Sequence, residues 1–289
     1  MPPPRPYSYD LSVKSDVSDE LINVYLLRPT AGFLVHILYS TPVTPNQVTL
    51  AATLSGLIAA AFYVAATPTA LILAGTFISL KDLLDSADGQ LARAKQMYSR
   101  TGRFLDSICD FFVNLSVFAA IGFVLVSASG NILYAVWALL GFLGITLRVS
   151  YHVYYQSSFL HLQQMYATNR ITEEIRKEDV ETSGHPLLLQ RTFQVLYGWQ
   201  DRLMARIDAW CRERGQNIPD RGWFGDRTGL RLSGFLGLGT ELFLLMLCSV
   251  TNHLTLYLYC NLGLMNGVWL TSIWYRRRVL VTRSAGADG

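Results

Sequence analysis

The chain has 289 residues, a length that suits one domain or one domain carrying an insert. Just over half of the residues are apolar and only 16% are charged, against about 25% in soluble proteins, and the apolar residues come in long blocks, so the composition argues for a membrane protein and against a large soluble core. A net charge of +3 is too small to imply nucleic acid, and the scattered Cys109, Cys211, Cys248 and Cys260 make no CxxC pair, which argues against a zinc motif or a disulfide framework.

The start, Met1 to Asp19, is polar and proline-rich, so no cleavable signal peptide is expected. In Ser18–Thr41, Leu21, Val24 and Tyr25 recur at helical spacing, followed by Leu26 and Leu27. The apolar run stops at Arg28, Pro29 is expected to bend the chain, and Ala31–Tyr39 is apolar but too short to span. The segment reads as an amphipathic helix lying in the membrane interface.

A bilayer core about 30 Å thick needs about 20 mostly apolar helical residues. Four blocks meet this plainly: Gln47–Ala66 (first), Gly130–Tyr154 (fourth), Leu230–Val250 (fifth) and Leu254–Tyr275 (sixth). Two more carry charge: Thr69–Leu80, which runs on into Lys81–Arg93, and Phe104–Ser127, which contains Asp106 and Asp110. The fold class is therefore all-α and polytopic, with an interfacial helix, six spans, and a polar helical insert between spans four and five. The expected divisions are residues 1–45 (N-terminal segment), 46–155 (spans one to four), 156–228 (insert) and 229–289 (spans five and six with a basic tail).

With both termini on the cytoplasmic side, the outer turns fall near Thr67-Pro68, Ser127–Asn131 and Thr251–His253, and none contains Lys or Arg. Within the insert, Glu173–Glu181 is highly charged and Ser183-Gly184-His185-Pro186 is a breaker. Leu196, Trp199, Leu203, Ile207 and Trp210 then recur at helical spacing, with Arg202, Arg206, Arg212 and Arg214 among or just after them. That amphipathic basic helix suits an anionic membrane surface or packing against its own chain.

The chemistry is concentrated in Asp85-Ser-Ala-Asp88-Gly89-Gln-Leu-Ala92-Arg93 and Gly102-Arg-Phe-Leu-Asp106-Ser-Ile-Cys-Asp110. Asp85 and Asp88, three apart, share a helix face, as do Gly102, Asp106 and Asp110, each four apart. The short connection makes the two helices antiparallel neighbours, so four carboxylates converge near the inner surface. Unpaired, they would be costly within a membrane. Hard divalent cations, Mg2+ or Mn2+, resolve the conflict, and two of them can clamp a phosphoryl centre. Gly89 and Gly102 permit close approach, and Arg93 offers a fork for phosphate oxygens. Lys81 and Asp82, one turn earlier, read as a mutual pair or as residues that tune the site. Arg148 reads as a phosphate contact or a snorkelling cation, and Glu241 has no partner evident in the sequence.

The pattern D-x-x-D-G-x-x-A-R, eight residues, G-x-x-x-D-x-x-x-D resembles the motif of the CDP-alcohol phosphotransferase (CDP-alcohol phosphatidyltransferase) family, and every fixed position from Asp85 to Asp110 matches. Strong resemblance covers about Thr44–Asp110; the layout also looks like that family's, while the long insert departs from its compact members. The resemblance implies a membrane transferase of phospholipid biosynthesis that binds a CDP-linked donor and an alcohol acceptor, one of them a lipid. The hydroxyl attacks one phosphorus and CMP leaves. Asp85, Asp88 and Asp106 would hold two metal ions, and Asp110 would be the general base, touching a metal as well. Gly89, Ala92, Arg93 and Gly102 would line the CDP pocket. Thr44-Pro45-Asn46-Gln47-Val48-Thr49 looks like the family's N-x-x-T entry to span one, which makes Asn46 and Thr49 nucleotide contacts, although both are also ordinary helix-start residues. A homodimer is expected from the resemblance alone.

Phe111 follows Asp110 where glycerol-phosphate users place a lysine, and the basic residue of the inositol-phosphate type is also missing. Transfer of a phosphatidyl group is the leading expectation. The alternative within the family is an aminoalcohol phosphotransferase using CDP-choline or CDP-ethanolamine with diacylglycerol. Outside it, the alternatives are a divalent-cation channel or transporter and an inactive scaffold.

Overall fold

The computed structural model describes residues 7–9, 12, 18–163, 185–213 and 218–282, and among these every regular element is helical. The charged stretch Glu173–Glu181, the breaker Ser183-Gly184 and Arg214 lie outside the described residues. α1 is Arg28–Tyr39, α2 Pro45–Ala65, α3 Pro68–Ala94, α4 Arg100–Ser129 and α5 Leu133–Leu162. α6 is His185–Arg212, α7 Asp220–Phe224, α8 Arg227–Gly234 and α9 Leu238–Val250. α10 (Leu254–Tyr259) and α11 (Asn266–Trp274) are joined and followed by π-helical turns, Cys260–Met265 and Tyr275–Leu280. Four helices are long and apolar enough to cross a membrane, Pro45–Ala65, Arg100–Ser129, Leu133–Leu162 and Arg227–Val250, which marks an integral membrane protein. α3 is 27 residues long but carries charge, and the last segment is helical throughout in short α and π pieces.

The helix boundaries follow local chemistry. Thr44 and Gln47 form a capping box at the start of α2, with Pro45 in the first turn. Ala66 takes the left-handed conformation (φ 55°), and Thr67 then caps α3 ahead of Pro68, so the turn is minimal. Ser99 caps α4 by accepting from the Gly102 N–H at 3.0 Å. Gly130, with φ 69°, ends α4 where a left-handed residue is required. Pro29 does not interrupt the helix: a π-helical turn, Asn23–Leu27, runs on into α1, and Pro29 sits in the first turn of α1, where a missing N–H costs little. α1 buries Ala31, Gly32 and Val35 and exposes Phe33 and Ile37 on its other side, as an interfacial helix would.

The chain forms two compact units. The first comprises Met1–Lys14, Ile22–Ala135 and Leu242–Leu254. There Ala31, Val35, Val48, Ala87 and Leu91 pack α1 onto α2 and α3. Gly56 lets α2 approach α4, because a Cβ at that position would fall 2.4 Å from Val113 Cγ1. Lys95 closes the end of α3 by donating to the Thr41 and Val43 carbonyls at 2.7 and 2.8 Å.

The second unit comprises Ser15–Leu21, Val136–Glu241 and Thr255–Gly289. Arg148 is neither a snorkelling cation nor a free phosphate contact: its guanidinium pairs with Glu241 at 3.0 Å, and both side chains are 1% exposed. Tyr257 and Asn261 donate to the other Glu241 oxygen, and Arg148 also donates to Asn266 Oδ1 at 2.6 Å. Gly144 leaves room for this guanidinium, since a Cβ there would lie 2.7 Å from Arg148 Nη1. Asp19 and Glu20 meet His152 nearby, and Glu20 accepts from the Thr240 N–H at 2.8 Å. α6 packs on its own unit through Met204, Leu203 and Ile207. Its innermost face also carries polar Gln200 and Asp208: Ser150 donates to Gln200, and Tyr155 and Trp223 donate to Asp208, each at 2.8 Å. All four cysteines are free thiols, and burial pushes the Cys211 thiol up to about 11, so it packs as a small apolar group.

Breaking a buried ion pair leaves one charge uncompensated and costs about 3–5 kcal/mol, whereas replacing both partners by apolar groups costs far less. Arg148→Met or Glu241→Leu alone should lower the thermal unfolding temperature in detergent strongly, and the double variant should recover part of the loss. Additive losses in the double variant would contradict the pairing.

Candidate active site

The Asp-rich ends of α3 and α4 come together in the first unit. Asp85, Asp88 and Asp106 each offer a carboxylate oxygen, and the three oxygens lie within 4.8 Å of one another. The spacing explains it: Asp85 and Asp88 are one turn apart on α3, and the short return after Lys95 brings the first turns of α4 alongside. Asp88 is buried, and Asp85 and Asp106 are half-buried. Among the described residues, Asp106 Oδ1 is buried and makes no hydrogen bond. A buried acceptor without a donor, beside two further carboxylates, fits a hard cation, which takes oxygen ligands. Asp85, Asp88 and Asp106 thus form a group able to hold a metal.

Asp110 stands apart from that trio. Its Oδ1 forms a short ion pair with Lys81, whose ammonium also lies 3.6 Å from Asp85 Oδ1. Lys81 is 1% exposed, so its charge is placed against the carboxylates. It lies outside the motif, and the signal for it in the sequence was the four-residue spacing from Lys81 to Asp85, which puts both on one helix face.

The nucleotide candidates fall into place unequally. Thr49 donates to Asp88 Oδ2 at 2.5 Å, tying α2 to the cluster. Thr44, not Asn46 or Thr49, caps α2, so capping does not account for either residue. Asn46 is exposed, and its Oδ1 would lie 3.0 Å from a Cβ at Gly102, one turn before Asp106. At Gly89 a Cβ would meet only the Arg93 guanidinium, 3.6 Å away, so packing within the chain does not demand glycine there. Ala92 is buried. Arg93 donates from Nε to the Ser12 carbonyl at 2.5 Å.

This is the region that known proteins share. Residues 42–168 match the CDP-alcohol phosphatidyltransferase family. The match takes in the whole motif from Asp85 to Asp110. Over 99 residues it is 39% identical to a bifunctional IPC transferase and DIPP synthase of Thermococcus kodakarensis, a match covering 34% of this chain and 22% of that protein. A protein of the same description from Archaeoglobus fulgidus is 39% identical over 79 residues, covering 27% of this chain and 15% of that protein. The chain thus aligns with less than a quarter of the length of these relatives. The match bears out the resemblance read from Asp85 through Asp110.

Lys81 offsets carboxylate repulsion when no metal is bound. Lys81→Met should therefore lower the unfolding temperature of the metal-free protein, by an amount equivalent to about 3 kcal/mol or more. Added Mn2+ should restore more stability to the variant than to the parent chain. Equal unfolding temperatures in chelator would show that Lys81 carries no such load.

Proposed function

We propose that this chain is an integral-membrane, divalent-metal-dependent CDP-alcohol phosphotransferase. The observation that carries the reading is the carboxylate trio on α3 and α4, with Asp110 held separately by Lys81 one turn further along α4. Asp85, Asp88 and Asp106 would hold the metal, Mg2+ or Mn2+ and two ions in the fullest form. When bound, such ions neutralise charge on the donor pyrophosphate and on the departing phosphate.

The chain's own groups then divide the work. Asn46, Thr49, Gly89, Ala92, Arg93 and Gly102 line the space for the CDP portion. Thr49 also orients Asp88 through its hydroxyl. Asp110, offset from the trio, accepts the proton of the acceptor hydroxyl. The hydroxyl oxygen forms its bond to the donor phosphorus as the bond from that phosphorus to CMP breaks. CMP carries away the electron pair, and the proton resides on Asp110 Oδ. The apolar helices suit a reaction in which donor or acceptor is a lipid, and phosphatidyl transfer is the form we favour. Six spans, a cytoplasmic site and cytoplasmic termini follow from the turns lacking Lys and Arg after α2, α4 and α9.

The test is CMP release by the purified protein in nanodiscs with Mn2+. CDP-diacylglycerol would be assayed across a panel of polar alcohols, and CDP-choline and CDP-ethanolamine with diacylglycerol. One pair should release CMP, and chelation should abolish the release. Asp110→Asn should retain nucleotide binding and lose turnover by about 100-fold or more, the usual contribution of a positioned base. Near-normal turnover would remove Asp110 from that role. Asp85→Ala and Asp106→Ala should weaken Mn2+ and CDP binding together, as read by calorimetry, and unchanged Mn2+ affinity in both would overturn the ligand assignment.

A further inference from the structure

α6 is a 28-residue helix, about 42 Å long at 1.5 Å per residue. The face it buries runs through Gln200, Met204, Asp208 and Cys211. The opposite face carries Leu188, Arg191, Val195, Trp199, Arg202 and Arg206, all exposed and spaced three or four residues apart. Leu188 is 65% exposed, Val195 76% and Trp199 43%. A stripe of large apolar side chains left in water has a real cost, and here it alternates with arginines only. The acids of the helix lie elsewhere: Asp208 is buried under Tyr155 and Trp223, and Asp201 is half-buried. The stripe is therefore both apolar and uniformly positive.

We propose that this face of α6 docks on an anionic phospholipid surface. The chemistry matches such a surface element by element. Leu188 and Val195 enter the headgroup–acyl boundary, Trp199 sits at its polar edge, and the arginines extend to lipid phosphates while their stems stay in the apolar layer. A bilayer is within reach because α6 lies in the sequence between two helices apolar enough to cross one, Leu133–Leu162 and Arg227–Val250. The positive charge selects anionic over zwitterionic lipid. The interaction is independent of the transfer chemistry and uses none of its residues.

The experiment places an environment-sensitive fluorophore at Val195→Cys, a position exposed enough to accept it, in the full chain in nanodiscs, with the unsubstituted chain as the labelling control. The nanodiscs contain phosphatidylcholine alone or with phosphatidylglycerol, each with and without nitroxide-labelled lipid. Emission should shift to the blue and be quenched by the nitroxide, more strongly with phosphatidylglycerol. Each arginine near an anionic surface favours contact about fivefold. Arg191→Gln, Arg202→Gln and Arg206→Gln together should therefore abolish the preference for phosphatidylglycerol and leave CMP release in detergent unchanged. Should the labelled variant fail to fold, quenching of the natural tryptophans by brominated lipid, compared with Trp199→Phe, gives the same reading. Water-like, unquenched emission in both nanodiscs overturns the proposal. Blue-shifted emission that lipid nitroxide does not quench also overturns it, because a second copy or another segment then covers the face.

Discussion

Carboxylates that share one helix face inside a membrane protein have to be neutralised where they stand. Asp85, Asp88 and Asp106 bring oxygens within 4.8 Å, and at an effective dielectric of about 20 each such pair opposes the fold by roughly 3 kcal/mol. The surrounding architecture is organised around tolerating that repulsion. Lys81 sets a buried positive charge against Asp110 and Asp85, and Thr49 reaches from α2 to satisfy Asp88. Gly56 lets α2 close onto α4 beside Val113. Asp106 Oδ1 is left for something the chain does not itself supply. A site built this way suits the cation and anionic substrate proposed for it.

Much of this was legible because helical geometry is strict. Spacings of three and four residues put the aspartates on facing stripes, and no tertiary information was needed to see that they converge. The helices themselves were marked by apolar blocks and by Thr44-Pro45, Thr67-Pro68 and Gly130 at their ends. What could not be read depended on partners distant in sequence. Arg148 and Glu241 are 93 residues apart, and neither carries any local mark of the other. At Pro29 the helix continues, entered through a π-helical turn that no local residue pattern marked. The apolar repeat on α6 left open a membrane surface or packing on the chain, and its residues divide: Leu203 and Ile207 pack within the unit, Trp199 and Trp210 are exposed, and the helix also buries Gln200 and Asp208. Polar residues can lie innermost when Ser150, Tyr155 and Trp223 satisfy them, and a reading by hydrophobicity is blind to that.

Asp110 illustrates how one motif can hold two kinds of carboxylate. The sequence places it in register with Asp106, one turn on, and nothing in the spacing separates their roles. What distinguishes Asp110 is its ion pair with Lys81, whose ammonium also lies 3.6 Å from Asp85. A carboxylate held by an ammonium keeps a fixed orientation, which suits the base role proposed for Asp110. The motif supplies the acids, and a residue outside it differentiates them.

The two units treat buried charge in opposite ways, and the contrast separates the part that works from the part that holds. In the second unit, compensation is internal around Glu241 and Asp208. Glu241 receives Arg148, Tyr257 and Asn261, and Asp208 receives Tyr155 and Trp223. Networks of that kind are permanent, because removing one donor strands an acid in a low-dielectric interior. In the first unit Asp85, Asp88 and Asp106 bring carboxylate oxygens together with Lys81 set against Asp85 and Asp110, an arrangement open to compensation by a cation from solution. Exchangeable compensation is poor engineering for stability and suits the transfer reaction proposed above, in which a pyrophosphate binds and a nucleotide leaves. The motif is therefore best understood as a controlled charge imbalance, in contrast to Glu241 and Asp208, whose partners are supplied by the chain itself.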